Sequence, residues 1–283
     1  ARVMPELFAS IPSPASGALG VGPLQINAYG LMIALGVVAA TWLASRRLVA
    51  AHSGTSDDMQ SIALWAVIGG VIGARLYHVV TDWELFRDDL GRIPLVWKGG
   101  LGIPGGLVGG LVAGVMVVRR RHLDAAAVLT AVAPAIPLAQ SIGRWGNWWN
   151  QELYGRATSL PWALEISEGH LPAGAVTGTT FHPTFLYESV WTLALCGALL
   201  LIDRRVRLRP GRLFTVYLAG YFTGRFWIEG LRIDPAHEFG GLRLNQWVSL
   251  AVVAGAVLFL VVDRLRLGPV PADATASPAE EFA

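Results

Sequence analysis

The sequence is poor in charge, in lysine and in cysteine. Only 15% of its 283 residues are charged, and its mean hydropathy is +0.50, which is too apolar for a soluble domain of this length. The formal net charge of +2 and the single lysine, Lys98, leave no basic excess, so a nucleic-acid partner is not expected. The one cysteine, Cys196, lies inside an apolar run, which excludes an intramolecular disulfide.

Several other features are also absent. The first residues do not follow the basic, apolar and small-residue succession of a secretory signal peptide, and no internal repeat is visible. The acidic residues expected on the outer side form no cluster of metal ligands, so neither a metal nor another cofactor is expected. The lack of a convincing Gly-x-Ser-Gly segment argues against an intramembrane protease.

What the sequence does contain is long apolar runs. They approach the about 20 residues that a helix needs to cross hydrocarbon. We therefore predict an all-α polytopic membrane protein with seven transmembrane helices, at about 26–43, 61–80, 99–121, 124–142, 185–202, 213–228 and 246–262. Pro134 and Pro137 should kink the fourth helix, and Gly69 and Gly73 have the small-residue spacing of a close helix contact.

Arginine placement predicts how these helices are oriented. Clusters follow the first, third, fifth and seventh runs, at 46–47, 119–121, 204–212 and 264–266. The positive-inside rule puts such ends in the cytoplasm, so the N-terminus should lie outside and the C-terminus in the cytoplasm. Five regions follow: a surface segment at 1–24, four helices within 25–142, a small extracytoplasmic head at 143–184, three helices within 185–263 and a disordered cytoplasmic tail at 264–283.

The least ordinary stretch, Gly143–Arg156, opens this head. It reads Gly-Arg-Trp-Gly-Asn-Trp-Trp-Asn-Gln-Glu-Leu-Tyr-Gly-Arg, and we interpret it as a turn-rich connection. Its glycines permit close backbone approach, and its tryptophans suit a membrane–water boundary. Arg144 offers a planar donor fork for a phosphate or carboxylate. The alternative is an interfacial loop in which Arg144 is simply tied to Glu152.

Further polar residues fall at the same outer level: Tyr29, Arg75, Tyr77, His182, Tyr187, Glu188, Tyr221, Arg225 and Glu229. Taken singly, each has an ordinary explanation. Arg225 and Glu229 have the i, i+4 spacing of a helical ion pair. His182 could be a helix-cap or loop residue, and the Arg75 side chain could extend to the membrane interface. Three arginines on one side at similar depth nevertheless predict a site for an anionic headgroup, and a phosphate is its natural ligand.

These motifs resemble the bacterial prolipoprotein diacylglyceryl transferases. The signature of that family is similar to residues 143–152, although Trp145 and Trp148 stand where aliphatic residues and Phe are often found. Other pieces match in order: Ile-Pro-Ser-Pro at 11–14, Tyr-Gly-Leu-Met at 29–32, Gly-Ala-Arg-Leu at 73–76, His-Pro-Thr-Phe-Leu-Tyr-Glu-Ser at 182–189 and Arg-Phe-Trp-Ile-Glu-Gly-Leu-Arg at 225–232. The resemblance covers about residues 11–263.

The resemblance implies a transferase of the bacterial plasma membrane with its active site on the extracytoplasmic side. Such an enzyme moves the diacylglyceryl group of phosphatidylglycerol to the lipobox cysteine of a prolipoprotein, so its partners are these two substrates and membrane lipids. Arg144 and Arg225 match the family's essential arginines, and its other functional positions are matched by Tyr29, Asn147, Glu152, Gly155, Tyr221 and Glu229. Arg75 is a weaker candidate for the headgroup, and further candidates are His182, Asn150, Tyr187 and Glu188.

One departure from the family concerns the base. Many members carry a histidine in the glycine-rich run before the third helix, and Pro104 stands there in this chain. Either Glu152, Tyr29 or His182 accepts the thiol proton, or the arginine field lowers the thiol pKa enough without a base, or this copy is inactive. A non-catalytic transporter or scaffold that binds anionic lipid is the alternative from another class, but it does not explain the ordered motif set.

Overall fold

The computed structural model describes residues 10–21, 24–96, 99–206 and 208–267. The α-helices of this part of the chain are α1 Ala28–Ala50, α2 Ser56–Thr81, α3 Ile103–Arg120, α4 Ala125–Val132, α5 Ala135–Trp149, α6 Thr184–Arg205, α7 Arg212–Glu229 and α8 Leu244–Leu267. Short antiparallel hairpins pair β1 Ala18–Val21 with β2 Leu24–Asn27, β3 Leu164–Glu165 with β4 Thr180–Phe181, and β5 Glu238–Phe239 with β6 Leu242–Arg243. The all-α expectation did not include these hairpins. Residues 1–9 of the predicted surface segment and residues 268–283 of the predicted tail lie outside the described residues.

The chain is a polytopic membrane protein. Among the described residues, five helices are long and apolar enough to cross a membrane, namely α1, α2, α3, α6 and α8, and α4 with α5 makes a sixth if the two form one interrupted span. The remaining long helix, α7, is more polar because its 18 residues include Arg212, Arg225 and Glu229. The predicted count of seven therefore depends on whether α7 crosses as well.

The chain folds as two compact units, one of residues 41–132 and one of residues 1–40 with 133–283. In the first, glycines bring the backbones of α2 and α3 together. A Cβ placed on Gly73 would lie 2.3 Å from the Gly105 carbonyl oxygen, and one on Gly109 would lie 2.2 Å from that of Gly69. The predicted small-residue contact is thus present, since no larger residue fits at this separation.

In the second unit, α5 packs on α6, α6 on α7, and α7 on α8. Two polar contacts set the register of these helices. The hydroxyls of Ser141 on α5 and Ser189 on α6 lie 3.1 Å apart, and the Ser189 hydroxyl donates to the Ser141 carbonyl at 2.9 Å. The Trp191 indole of α6 donates to the Gly220 carbonyl of α7 at 3.0 Å. These contacts decide which turns of the three helices face each other.

The course of α5 corrects part of the prediction. The helix is interrupted between Val132 and Ala135, next to Pro134, as the prolines predicted. It then continues to Trp149, however, whereas the sequence predicted that it ends at Ile142. Residues 143–149 are therefore helical rather than a turn-rich connection. Glycine and asparagine favour turns locally, but the packing of α5 on α6 stabilises the helix through the first half of the signature. The third helix likewise begins at Ile103 rather than at 99.

Residues 150–183 form the head, with a small core of its own. Its buried side chains are Tyr154, Leu164, Ile166 and Phe181, and Phe185 of α6 packs with them. The segment 11–14 docks on it: the Ile11 amide donates to the Ala163 carbonyl at 2.8 Å, the Trp148 indole to the Pro12 carbonyl at 3.1 Å, and the Gln151 amide to the Pro14 carbonyl at 2.9 Å. The N-terminal segment is thus an integral part of the head.

Candidate functional site

Arg144 and Arg225 meet at one carboxylate. Arg144 Nε lies 2.5 Å from Glu188 Oε2, and Arg225 Nη1 donates to Glu188 Oε1 at 3.1 Å. The three residues project from α5, α7 and α6, and the Glu188 side chain is only 7% exposed. The serine pair explains the register, because Ser189 follows Glu188 and Ser141 lies about one turn before Arg144. The sequence treated Glu188 only as a further candidate; the structure places it between the two arginines.

A second carboxylate, that of Glu229, also contacts Arg225. Its Oε2 lies 2.6 Å from Arg225 Nη2, which is the predicted i, i+4 ion pair, although the N–H is not aimed for a hydrogen bond. Its Oε1 lies 3.3 Å from Arg243 Nε and accepts a bond from Asn245 at 3.3 Å. The Glu229 side chain is 1% exposed, so a buried carboxylate is compensated by two guanidinium groups.

Asp234 links two further arginines at the end of this network. Its Oδ1 lies 2.7 Å from Arg232 Nε, and its Oδ2 lies 3.2 Å from Arg243 Nη2. Burial on its own would raise the pKa of Asp234, but the bond from Arg232 and the charges of Arg232 and Arg243 outweigh burial and lower that pKa below its ordinary value. Charges therefore alternate along the series Arg144, Glu188, Arg225, Glu229, Arg243, Asp234 and Arg232. This series has four positive and three negative groups, and Glu152, which is linked to Arg144 through Asn147, adds a fourth negative one.

The predicted supports of Arg144 also lie beside it. Arg144 Nη1 is 3.4 Å from Asn147 Oδ1, and Asn147 donates to Glu152 Oε1 at 2.8 Å. Asn150 makes a longer contact of 3.5 Å to the same Glu152 oxygen. The direct ion partner of Arg144 is Glu188, so the alternative of an interfacial loop with Arg144 tied to Glu152 is wrong.

Tyr29 and Gly155 lie where the chain makes close contacts. The Tyr29 ring rests on Gly146 of α5, where a Cβ would lie 2.6 Å from the ring. The Gly155 amide donates to the His182 carbonyl at 2.9 Å. A Cβ on Gly155 would lie 2.8 Å from His182 Cβ and 3.0 Å from the Leu231 carbonyl oxygen. Glycine at 155 therefore joins the head to the segment that follows α7.

The signature turn that leads to Gly155 has an unusual backbone. Gln151 and Leu153 have φ angles of 51° and 59°, which are uncommon for residues other than glycine. The Gln151 side chain holds this conformation from both sides, since it donates to the Pro14 carbonyl and accepts from the Ser167 amide at 2.8 Å. The turn is thus fixed by contacts to residues distant in sequence.

His182 and Tyr187 form a separate pair at the edge of the head. His182 Nδ1 lies 3.1 Å from the Tyr187 hydroxyl, which also accepts a bond from the Trp162 indole at 3.1 Å. Burial, and secondarily the charge of Arg156, lowers the pKa of His182, so its imidazole is neutral at neutral pH. Tyr221 lies on α7 one turn before Arg225 and is half-buried.

Arg75 belongs to the unit of residues 41–132, where its guanidinium is hydrogen-bonded to backbone carbonyls. Its guanidinium donates to the carbonyls of Arg92 at 2.7 Å, Ile93 at 2.8 Å, Gly99 at 2.7 Å and Gly100 at 3.0 Å. These bonds close the loop between α2 and α3 and account for the burial of Arg75. Its role toward a lipid headgroup remains a prediction.

Sequence reasoning missed Arg243, Asp234, Arg232 and the Ser141–Ser189 pair. Arg232 ends the motif at 225–232, so that motif carried a signal for it. Arg243 and Asp234 lie in a connection that was interpreted only as an outer loop, and charge spacing along the chain gives no sign of their pairing with Glu229. Only the fold brings these groups together.

Comparisons with known proteins show the family of the chain. Residues 16–262 match the family model described as prolipoprotein diacylglyceryl transferase. The chain is 49% identical, over 92% of its length and 82% of the relative's, to phosphatidylglycerol–prolipoprotein diacylglyceryl transferase 2 of Streptomyces coelicolor. It is also 49% identical to the Cutibacterium acnes phosphatidylglycerol–prolipoprotein diacylglyceryl transferase, over 92% of this chain and 88% of that protein. The enzyme of the same name from Streptomyces griseus is 45% identical over 97% of this chain and 85% of its own length. The chain therefore belongs to the prolipoprotein diacylglyceryl transferase family.

Proposed function

We propose that this chain transfers the diacylglyceryl group of phosphatidylglycerol to the thiol of a lipobox cysteine in a prolipoprotein. The observation that carries the proposal is the meeting of Arg144 and Arg225, from different helices, at Glu188. Two adjacent guanidinium groups are suited to a phosphate because each offers a planar fork of donors. The names of the relatives supply both substrates.

The chemistry requires a sulfur nucleophile and a phosphate leaving group. The thiolate attacks the carbon of the diacylglyceryl group that bears the phosphate ester, a C–S bond forms there, and the C–O bond of that carbon breaks with its electron pair going to the phosphate oxygen. Glycerol phosphate then leaves with one more negative charge than the phosphodiester carried. Arg144 and Arg225 stabilise that charge, and loss of one such preorganised donor typically costs about 10²–10³ in rate. The thiol proton passes to Glu152, Tyr29 or His182, or to solvent if the arginine field alone lowers the thiol pKa.

Binding of the lipid exchanges one set of ionic partners for another. Without an anion, Glu188 pairs with both arginines, and Glu229 is a second partner of Arg225. The phosphate replaces part of the contacts that the two arginines make with Glu188, which stays paired because a buried carboxylate without a cationic partner is costly.

The remaining residues of the site support these two arginines. Asn147 and Glu152 orient Arg144, and Glu229 orients Arg225. We assign the lipid and peptide contacts to Tyr29, Gly155 and Tyr221, with Asn150, Tyr187 and His182 as further contacts.

We also propose seven spans, with α7 crossing the membrane, the N-terminus outside and the site at the extracytoplasmic face of the bacterial plasma membrane. Ion pairs neutralise the charged side chains of α7, since Arg212 pairs with Asp263, and Arg225 with Glu188 and Glu229. Paired charges are the form in which such groups are tolerated at membrane depth.

Cysteine labelling in intact cells tests this orientation. Gly169→Cys in the head should react with a membrane-impermeant maleimide, whereas Ser53→Cys after α1 should react only after permeabilisation. The native Cys196 is buried and provides the background. The opposite pattern contradicts the orientation.

Reconstitution of the full chain tests the reaction. With phosphatidylglycerol and a lipobox peptide, we expect glycerol phosphate release and a peptide whose mass increases by one diacylglyceryl group. Arg144→Ala and Arg225→Ala should lose this activity by at least about 10²-fold and still insert in the membrane, and Arg209→Ala, at the other end of α7, is the matched control. A non-catalytic lipid-binding protein, or an inactive family member, gives neither product.

A further inference from the structure

Arg243 is the most heavily bonded charged group that the catalytic proposal leaves unused. It ends the hairpin of β5 and β6, and its side chain is 8% exposed. Its Nη1 donates to the Glu229 backbone carbonyl at 3.2 Å, its Nε lies 3.3 Å from Glu229 Oε1, and its Nη2 lies 3.2 Å from Asp234 Oδ2. One planar guanidinium thus joins the C-terminal end of α7 to the hairpin.

We propose that Arg243 is a positioning residue for the transfer reaction and acts on Arg225 through Glu229. This inference rests on the function proposed above. Arg243 and Asn245 hold Glu229 Oε1, so that Oε2 alone faces Arg225 Nη2 at 2.6 Å. Arg243 therefore fixes the position of the Glu229 carboxylate, and that carboxylate fixes the orientation of the Arg225 guanidinium.

Arg243 also limits how strongly Glu229 holds Arg225. Glu229 is almost fully buried, and a buried carboxylate that loses one of two cationic partners interacts more strongly with the other. Without Arg243, Glu229 draws Arg225 away from an incoming phosphate.

A double-mutant cycle on kcat/KM for phosphatidylglycerol tests this coupling. Arg243→Gln should lower kcat/KM about tenfold in the reconstituted full chain. In a Glu229→Gln background, Arg243→Gln should lower kcat/KM less than about twofold, because the carboxylate through which Arg243 acts is absent. Arg243→Lys keeps the charge without the fork, and we expect it to recover part of the loss.

The control is Arg212→Gln, which removes a paired arginine at the opposite end of α7, about 26 Å along the helix. It should leave kcat/KM within about twofold of the parent protein and should show no coupling to Glu229→Gln. Thermal unfolding in detergent reports on folding. If Arg243→Gln does not fold, the Glu229→Gln/Arg243→Gln double variant, which leaves no buried charge orphaned, and Arg243→Lys still decide the question.

Three outcomes are decisive. Additive losses in the cycle, or no recovery in Arg243→Lys, overturn the positioning role and leave Arg243 as a structural residue. Unchanged kcat/KM in Arg243→Gln overturns it as well. Absence of any transfer by the parent protein is a different result, because it refutes the proposed function itself.

Discussion

Replacement of Glu188 by Gln gives the most informative test of the charge network. The change keeps the shape of the side chain and removes the carboxylate that lies 2.5 Å from Arg144 and 3.1 Å from Arg225. The two guanidinium groups then face each other without their shared counter-charge. Removing one partner of a buried ion pair costs about 3–5 kcal/mol. Arg144 and Arg225 remain 21% and 14% exposed, so we expect the lower half of that range for the free energy of unfolding.

The same change should have opposite effects on lipid binding and on turnover. The net charge of the site becomes more positive by one, so an anionic lipid binds more strongly and compensates the repulsion between the arginines. We therefore expect phosphatidylglycerol to raise the thermal unfolding midpoint of Glu188→Gln more than that of the parent protein. Turnover should fall by about tenfold or more, because the arginines are no longer held in register before the lipid arrives.

Thermal unfolding in detergent, with and without phosphatidylglycerol, and the glycerol phosphate assay measure these effects. The exposed Glu238 provides a matched control, and Glu238→Gln should behave as the parent protein in both measurements. If Glu188→Gln unfolds at the parent temperature and gains no additional stabilisation from the lipid, the bridging role assigned to Glu188 is refuted.

Three further predictions follow from single contacts. Gly155→Ala should destabilise the head by about 1–3 kcal/mol, measurable by thermal unfolding, because its Cβ meets His182 Cβ at 2.8 Å; an unchanged midpoint contradicts this packing. Burial lowers the pKa of His182, so the unfolded chain takes up the proton first as the pH falls below about 6.5, and the folded state loses stability. His182→Gln should reduce this loss between pH 7 and pH 5, and an identical pH profile removes His182 as its cause. Gly73→Leu should separate α2 from α3, since even a Cβ lies 2.3 Å from the Gly105 carbonyl, and protease resistance of α2 and α3 equal to that of the parent protein disproves this dependence.

Much of the site was predictable because several of its polar residues lie in compact motifs. Arg144 and Asn147 fall in one signature and Arg225 and Glu229 in another, and helical spacing alone places Arg225 and Glu229 on one face. Their partners were harder to find. Glu188 is separated from Arg144 by 44 positions and from Arg225 by 37, so only helix packing reveals that it serves both. Arg243 is the last residue of a hairpin whose pairing the sequence does not indicate.

Element boundaries failed where local preference and tertiary packing disagree. Residues 143–149 have the glycine and asparagine content of a turn, yet they continue α5 because that helix packs on α6 and the Ser141–Ser189 contact fixes its register. The segment 11–14, which was expected on the surface, is attached to the head by backbone and side-chain bonds to Ala163, Trp148 and Gln151 that the sequence did not indicate. These bonds join residues more than a hundred positions apart, and no periodicity in the chain reports them.

Apolar length, arginine placement and short motifs by themselves determined that this chain is a polytopic membrane protein of the diacylglyceryl transferase family. These properties depend on composition and on neighbouring residues, which a linear sequence displays directly. Tertiary structure alone decided that one glutamate joins the two arginines and that Arg243 controls the second carboxylate. Buried charges are stable only beside opposite charges, and which charges become neighbours is set by the packing of helices that are distant in the chain.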